Sequence, residues 1–191
     1  IISEKVGSPI SFHVPYYQGT NPGVLEMISA LREIKDDIAY AFVHGSLATG
    51  EEVVYSDFDG LIFLKDEVFR DKQRLINAAQ KINQTRKIML RMDPLQHHGW
   101  FLLTESDLSH YPETYLPSDV IREAKSLLSE TGDALTLYPE SNNDYYFPLK
   151  DLCRHLRKKT QYTGQPRTLY QLKSFLSEFM MLPALYVQAR D

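Results

Sequence analysis

Two aspartates one residue apart, Asp57 and Asp59, follow a Gly45-Ser46 pair after ten intervening residues. On an extended chain, residues i and i+2 share a face. Both carboxylates then point together, while Phe58 between them turns into the core. Two adjacent carboxylates facing water repel each other unless a cation joins them. Hard oxygen ligands of this kind suit magnesium that bridges to triphosphate oxygens. Upstream, Gly45 lets the backbone turn sharply, so that its N–H groups can face a phosphate. The Ser46 hydroxyl adds a further donor.

Elements must hold these groups in place. Ile38 to His44 is a short apolar run and predicts a strand ending at Gly45. Gly45 to Tyr55 predicts a loop, and Phe58 to Leu64 a second apolar strand. Before them, Asn21-Pro22 has the form of a helix start. Val24, Leu25, Ile28, Leu31 and Ile34 continue it at helical spacing to about Lys35. Residues 1–20, with Pro9, Pro15 and Gly19, predict an irregular lead-in. Val68 to Gln84 predicts a helix, Arg86 to Asp93 a strand alternating at Ile88, Leu90 and Met92, and Gly99 to Thr104 another strand. Ser118 is placed as the cap of a helix to about Ser129, and Asp133 to Tyr138 as a last short strand. From Pro148 the pattern is helical, broken at Gly164-Gln165-Pro166. The stripe Leu169, Leu172, Phe175, Leu176 and Phe179 is expected to be core. The expected fold is α/β (α+β): a small mixed sheet flanked by helices, followed by a helical region. The expected division is residues 1–140 as the catalytic part and 141–191 as a helical part. Because the chain starts at Ile1 and ends at Asp191 in helical sequence, a longer parent chain is expected.

Phe42-Val43-His44-Gly45-Ser46 followed by Asp57-Phe58-Asp59 resembles the DNA polymerase β-like nucleotidyltransferase superfamily, small-molecule type. Its signature is a strand, Gly-Gly or Gly-Ser, a spacer of around ten residues, and Asp-x-Asp or Asp-x-Glu on the next strand. Ala48, Gly50 and Ser56 also match common members. The resemblance covers about residues 38–104. Thr49 stands where members often carry Arg, and Gly60 where a large apolar residue usually follows the second acid. The resemblance implies transfer of a nucleoside monophosphate from a triphosphate, expected to be ATP, to a hydroxyl with release of pyrophosphate. It implies two-metal catalysis with magnesium. Asp57 and Asp59 would be the shared metal ligands, and Gly45 and Ser46 would hold the nucleotide phosphates. The third carboxylate that the family needs is expected at Asp93, as catalytic residue and metal ligand on a neighbouring strand, with Glu105 in reserve. Asp93 followed by Pro94 is also the sequence of a turn.

His97 and His98 are adjacent, and adjacent side chains point in different directions on most backbones. No other His or Cys stands at chelating spacing. They are therefore expected as surface or hydrogen-bonded groups, or as substrate contacts near Asp93. Arg154, Arg157, Lys158 and Lys159 predict a solvated basic helix face, with receipt of a phosphate or a partner as the alternative. Cys153 is expected to be a buried small hydrophobe.

Two other readings stay open. Val53 to Gly60 also resembles the first motif of haloacid-dehalogenase-type phosphatases, in which an apolar strand precedes Asp-x-Asp-Gly and the first Asp attacks phosphorus. Gly60 fits that motif, whereas Leu61 does not, and no downstream acid pair completes it. A non-catalytic nucleotide-binding module is the third reading, to which Thr49 points.

Bulk properties narrow the partners. The chain has 191 residues, a net charge of −4 and a single cysteine, Cys153. One cysteine excludes an internal disulfide and a multi-cysteine zinc site. An acidic total without a basic stripe argues against long nucleic acid as acceptor. A small-molecule acceptor is expected instead. No apolar run approaches the ~20 residues of a membrane span, and the first residues do not form a signal peptide. A cytoplasmic setting is expected. The motifs carry no oligomeric signal.

Overall fold

Asn21 starts the first helix by turning its side-chain oxygen onto the N–H groups of Gly23 (3.0 Å) and Val24 (3.4 Å), satisfying donors that the first turn leaves open. The helix, α1, runs Pro22–Arg32 and buries Val24, Met27, Ile28 and Leu31. This is a computed structural model, and it describes residues 7–54, 56–140, 145–163 and 165–190. The chain divides into two units, Ile1–Ser141 and Asn142–Asp191.

The first unit is built on a four-stranded sheet. Naming elements in chain order, these strands are β2 (Ile38–His44), β3 (Asp59–Leu64), β4 (Phe101–Thr104) and β5 (Lys125–Ser126), in the order β4-β3-β2-β5. β2 is antiparallel to β3 and β5, while β3 and β4 are parallel. Parallel neighbours need a crossover, and the helix α3 (Lys72–Met92) supplies it. A short helix α2 (Ser46–Thr49) joins β2 to the loop before β3, and a single-turn helix α4 (Asp119–Arg122) precedes β5. The mixed α/β sheet expected from the sequence is therefore present.

Alternation along β3 separates the two faces of the sheet. Ile62 and Leu64 join the helices α1 and α3 in one core with Val24, Met27, Ile82 and Met89. Leu61 and Phe63 face a second core with Phe42, Phe12, Leu135 and Leu137. That second core lies under a separate two-stranded antiparallel sheet of β1 (Ile10–Val14) and β6 (Asp133–Leu137).

Several expectations are corrected. Of the lead-in expected to be irregular, residues 1–6 lie outside the described residues, and residues 7–20 are not wholly irregular, because Ile10, Phe12 and Val14 alternate and find a partner strand in β6. The strand expected over Arg86 to Asp93 is the last third of α3. The period-two pattern there was a coincidence: Ile82, Thr85, Ile88 and Met89 are buried at helical spacing, while Leu90 is 41% exposed. Nothing between Gln84 and Met92 breaks a helix, and Lys87, Met89, Leu90 and Arg91 favour one. The helix expected from Ser118 to Ser129 stops at Arg122. Ser118 makes no side-chain cap bond, and Lys125–Ser126 pairs with Val43 and Phe42 instead.

In the second unit, α5 (Tyr146–Lys158) continues into a π turn at Lys159–Thr163, and α6 (Leu169–Gln188) follows. Lys159 Nζ donates to Glu178 Oε1 at 2.5 Å. The stripe expected as core is largely open: Leu169, Leu172, Leu176 and Phe179 are exposed, and Phe175 stacks on Phe179. Cys153 is exposed as well, against expectation. No helix among the described residues is long and apolar enough to cross a membrane.

Candidate active site

The end of β2 and the start of β3 are neighbours in an antiparallel pair, with His44 opposite Asp59. Phe58 is fully buried and Asp57 and Asp59 are half-buried on either side of it, which is the alternation expected of Asp-x-Asp. Between the strands the chain turns at Gly45, where φ is +67° and ψ −156°. This is backbone that an L side chain rarely adopts. A Cβ at Gly45 would also come within 2.6 Å of Asp59 Oδ2. Glycine is thus required here both by conformation and by the approach of the second carboxylate. Gly45 O accepts from the N–H groups of Ala48 and Thr49, leaving Ser46 at the opening of α2. Thr49, in the position where Arg is common, bonds Glu51 Oε2 at 3.1 Å.

Parallel register determines what meets the aspartates from the other side. Phe101 pairs with Leu61 and Thr104 with Leu64. Residues just ahead of Phe101 therefore lie alongside residues just ahead of Leu61. That places His98 against Asp59, with Nε2 3.2 Å from Asp59 Oδ1 and 3.7 Å from Asp57 Oδ2. His97 Nδ1 lies 3.4 Å from Asp57 Oδ2. The two rings are edge to face at 4.7 Å. The expectation that these neighbours diverge is corrected: the tight path into β4 turns both toward Asp57. Among the described residues, Asp57, His97 and His98 form a group whose ligand atoms all lie within 4.8 Å of one another.

The same register removes Glu105 from the site. It follows Thr104, whose partner Leu64 already stands five residues along from Asp59, or roughly 16 Å at the usual rise per residue. Asp93 is not on a strand. It is the C-cap of α3, wholly buried, and its Oδ1 accepts from Leu95 N–H at 2.9 Å. It thus opens the turn that leads to the histidines.

Gln96 was not anticipated. It is 2% exposed. Its Oε1 accepts from Phe58 N–H at 2.8 Å, while Nε2 donates to Phe58 O at 3.1 Å and to His98 O at 3.0 Å. One amide side chain therefore fastens the loop carrying His98 to the backbone between the two aspartates. Gly60 also gains a reason. A Cβ there would collide with the ring of Trp100 and with Phe58. Trp100 stands edge-on to Phe58 at 5.1 Å and donates its Nε1–H to Thr85 Oγ1 at 2.8 Å. The departure from a large apolar residue is thus compensated by an indole ring, and Gly60 needs no phosphatase motif to account for it.

Charge in the site is shared between carboxylates and imidazoles. Hydrogen bonding to Asp59 raises the His98 pKa above its usual value against the opposing effect of burial. Burial lowers that of His44, outweighing the Asp59 charge. Among the described residues, His44 Nε2 is buried without a hydrogen-bond partner. Two clefts flank α2. One of about 710 Å³ runs past Asn21, Glu26, Leu47, Ser56 and Arg91. The other, of about 580 Å³, runs past Tyr16, Tyr17, Thr49 and Lys125.

A family model described as a nucleotidyltransferase domain matches residues 25–123, just over half of the chain. No curated protein and no solved structure gives a match.

Proposed function

We propose that this chain, which belongs to the nucleotidyltransferase domain family and is therefore a nucleotidyltransferase, transfers a nucleoside monophosphate to a hydroxyl of a small-molecule acceptor. The observation that carries the reading is the meeting of Gly45-Ser46 with Asp57 and Asp59 across one β-hairpin pair. In this reading, Gly45 and Ser46 hold the β- and γ-phosphates through N–H groups and the Ser46 hydroxyl. Asp57 and Asp59 hold the divalent cations expected of the family. The donor set fits such ions, because two half-buried carboxylates stand together with imidazole nitrogens within 4.8 Å of Asp57. A cation bound there would neutralise the triphosphate and stabilise charge developing at the α-phosphorus. Asp93, assigned from sequence as a third ligand, takes the part of a positioning residue through its turn at Leu95.

The protein's own contribution is placement. Backbone donors fixed before the substrate arrives cost no reorganisation during reaction. An acceptor hydroxyl held in line with the α-phosphorus gains the advantage of proximity. The clefts beside α2 are of ligand size, and the net charge of −4 speaks for a small acceptor over a nucleic-acid polymer. The test is pyrophosphate release from ATP and magnesium across a panel of hydroxylated acceptors. Acceptor-dependent release that disappears in Asp57→Asn is expected. Release indifferent to Asp57 would refute the assignment of that residue.

A further inference from the structure

We infer that the cation site of this chain is a mixed carboxylate–imidazole site, formed by Asp57 with His97 and His98 beside Asp59, which holds a transition-metal ion in preference to magnesium. The inference deepens the functional reading above and rests on it for the place of the cation.

The orientation of His98 is set by its neighbours. Gln96 Nε2 donates to Phe58 O and to His98 O, and His98 Nδ1 lies 3.3 Å from Gln96 Nε2 and 3.4 Å from Gly99 O. Nε2 thereby faces two carboxylate oxygens at 3.2 and 3.7 Å, and His97 Nδ1 closes a group of three ligand atoms with Asp57, all within 4.8 Å of one another.

These separations suit a bound metal ion. Ligand atoms bound at roughly 2.0–2.2 Å in tetrahedral or octahedral geometry stand roughly 3.0–3.5 Å apart. The 3.2, 3.4 and 3.7 Å separations fall on or just beyond this spacing. A ligating histidine commonly donates its other ring N–H to a carbonyl, which fixes its orientation, and Gly99 O, 3.4 Å from Nδ1, stands where that carbonyl is needed. The Gln96 clamp on Phe58 holds the loop in place without a nucleotide. Affinity of imidazole nitrogen rises across the first-row ions from manganese, so manganese is the strictest probe of the preference, whereas magnesium favours all-oxygen surroundings and retains its waters.

Manganese alone, without nucleotide, is the probe. Pulsed electron paramagnetic resonance on the wild-type chain is expected to show imidazole ¹⁴N coupling to Mn²⁺. Labelling histidine with ¹⁵N should convert that coupling, and a tenfold excess of magnesium should leave it in place. His98→Gln is expected to weaken Mn²⁺ affinity by at least about tenfold; the isotope experiment decides the point even if this variant fails to fold. Mn²⁺ bound in an Asp57-dependent way without nitrogen coupling, or displaced by that magnesium, would overturn the inference and leave the nucleotidyltransferase site standing. No Mn²⁺ bound, even with a non-hydrolysable ATP analogue, would overturn both.

Discussion

Asp57 and Asp59 owe their common orientation to Phe58, whose burial commits the intervening side chain to the core. Gly45 owes its identity to a positive φ and to the carboxylate that crowds it. Ser46 differs from these, since its place is set by backbone bonds: its carbonyl accepts from Glu51 N–H at 3.0 Å. Ser46→Ala should therefore leave folding nearly intact. If the hydroxyl bonds a triphosphate oxygen, its loss removes about 1.5–3 kcal/mol, or roughly a tenfold or greater loss of affinity. Calorimetry of ATP–magnesium binding is the check, and an unchanged affinity would make Ser46 a turn residue only. At this scale the Asp-x-Asp and Gly-Ser groups were legible because period-two alternation and glycine geometry are local properties. His97, His98 and Gln96 were not. Their position depends on which strand neighbours β3 and in which direction, and adjacent residues in a loop carry no periodicity. The available signal was the His97-His98-Gly99 run just ahead of an apolar strand.

Among elements, the critical contact is between β3 and the start of β4. Gly60 on β3 leaves the space that Trp100 fills, and Trp100 ties that strand start to Thr85 of α3. Because the parallel crossover aligns His98 with Asp59, displacing Trp100 should disturb the site from two residues away. Gly60→Val forces a branched side chain into occupied space, with overpacking expected to cost about 1–3 kcal/mol. The single tryptophan reports directly. A lower melting temperature with altered indole emission is expected, and a melt and spectrum identical to wild type would contradict this packing. The element reading of the sequence succeeded for α1, β2, β3 and β4, where caps and apolar runs coincide. It failed for the end of α3, where Ile88, Leu90 and Met92 alternate but Ile88 and Met92 also stand one helical turn apart, and only burial against α1 decides. It failed again after Ser118, where pairing with β2 overrides local helical preference.

At the scale of the whole molecule, one unit carries the sheet and the acidic hairpin, and the other is helical. The first contains the whole span matched by the nucleotidyltransferase family. The overall class was legible because the order of apolar runs and helical segments reports layer architecture. The exposed face of α6 was not, since an apolar stripe does not say what covers it. The central claim is that Asp57 serves nucleotidyl transfer and never carries the phosphoryl group itself. The most direct test is to follow ATP labelled at the α-phosphorus and, separately, at the γ-phosphorus, in the presence of the acceptor found by screening. The account predicts α-label in a hydroxyl-linked product, γ-label in pyrophosphate, and none on the protein. An acid-stable or borohydride-trapped phosphoaspartate at Asp57, with γ-label released as inorganic phosphate, would contradict it.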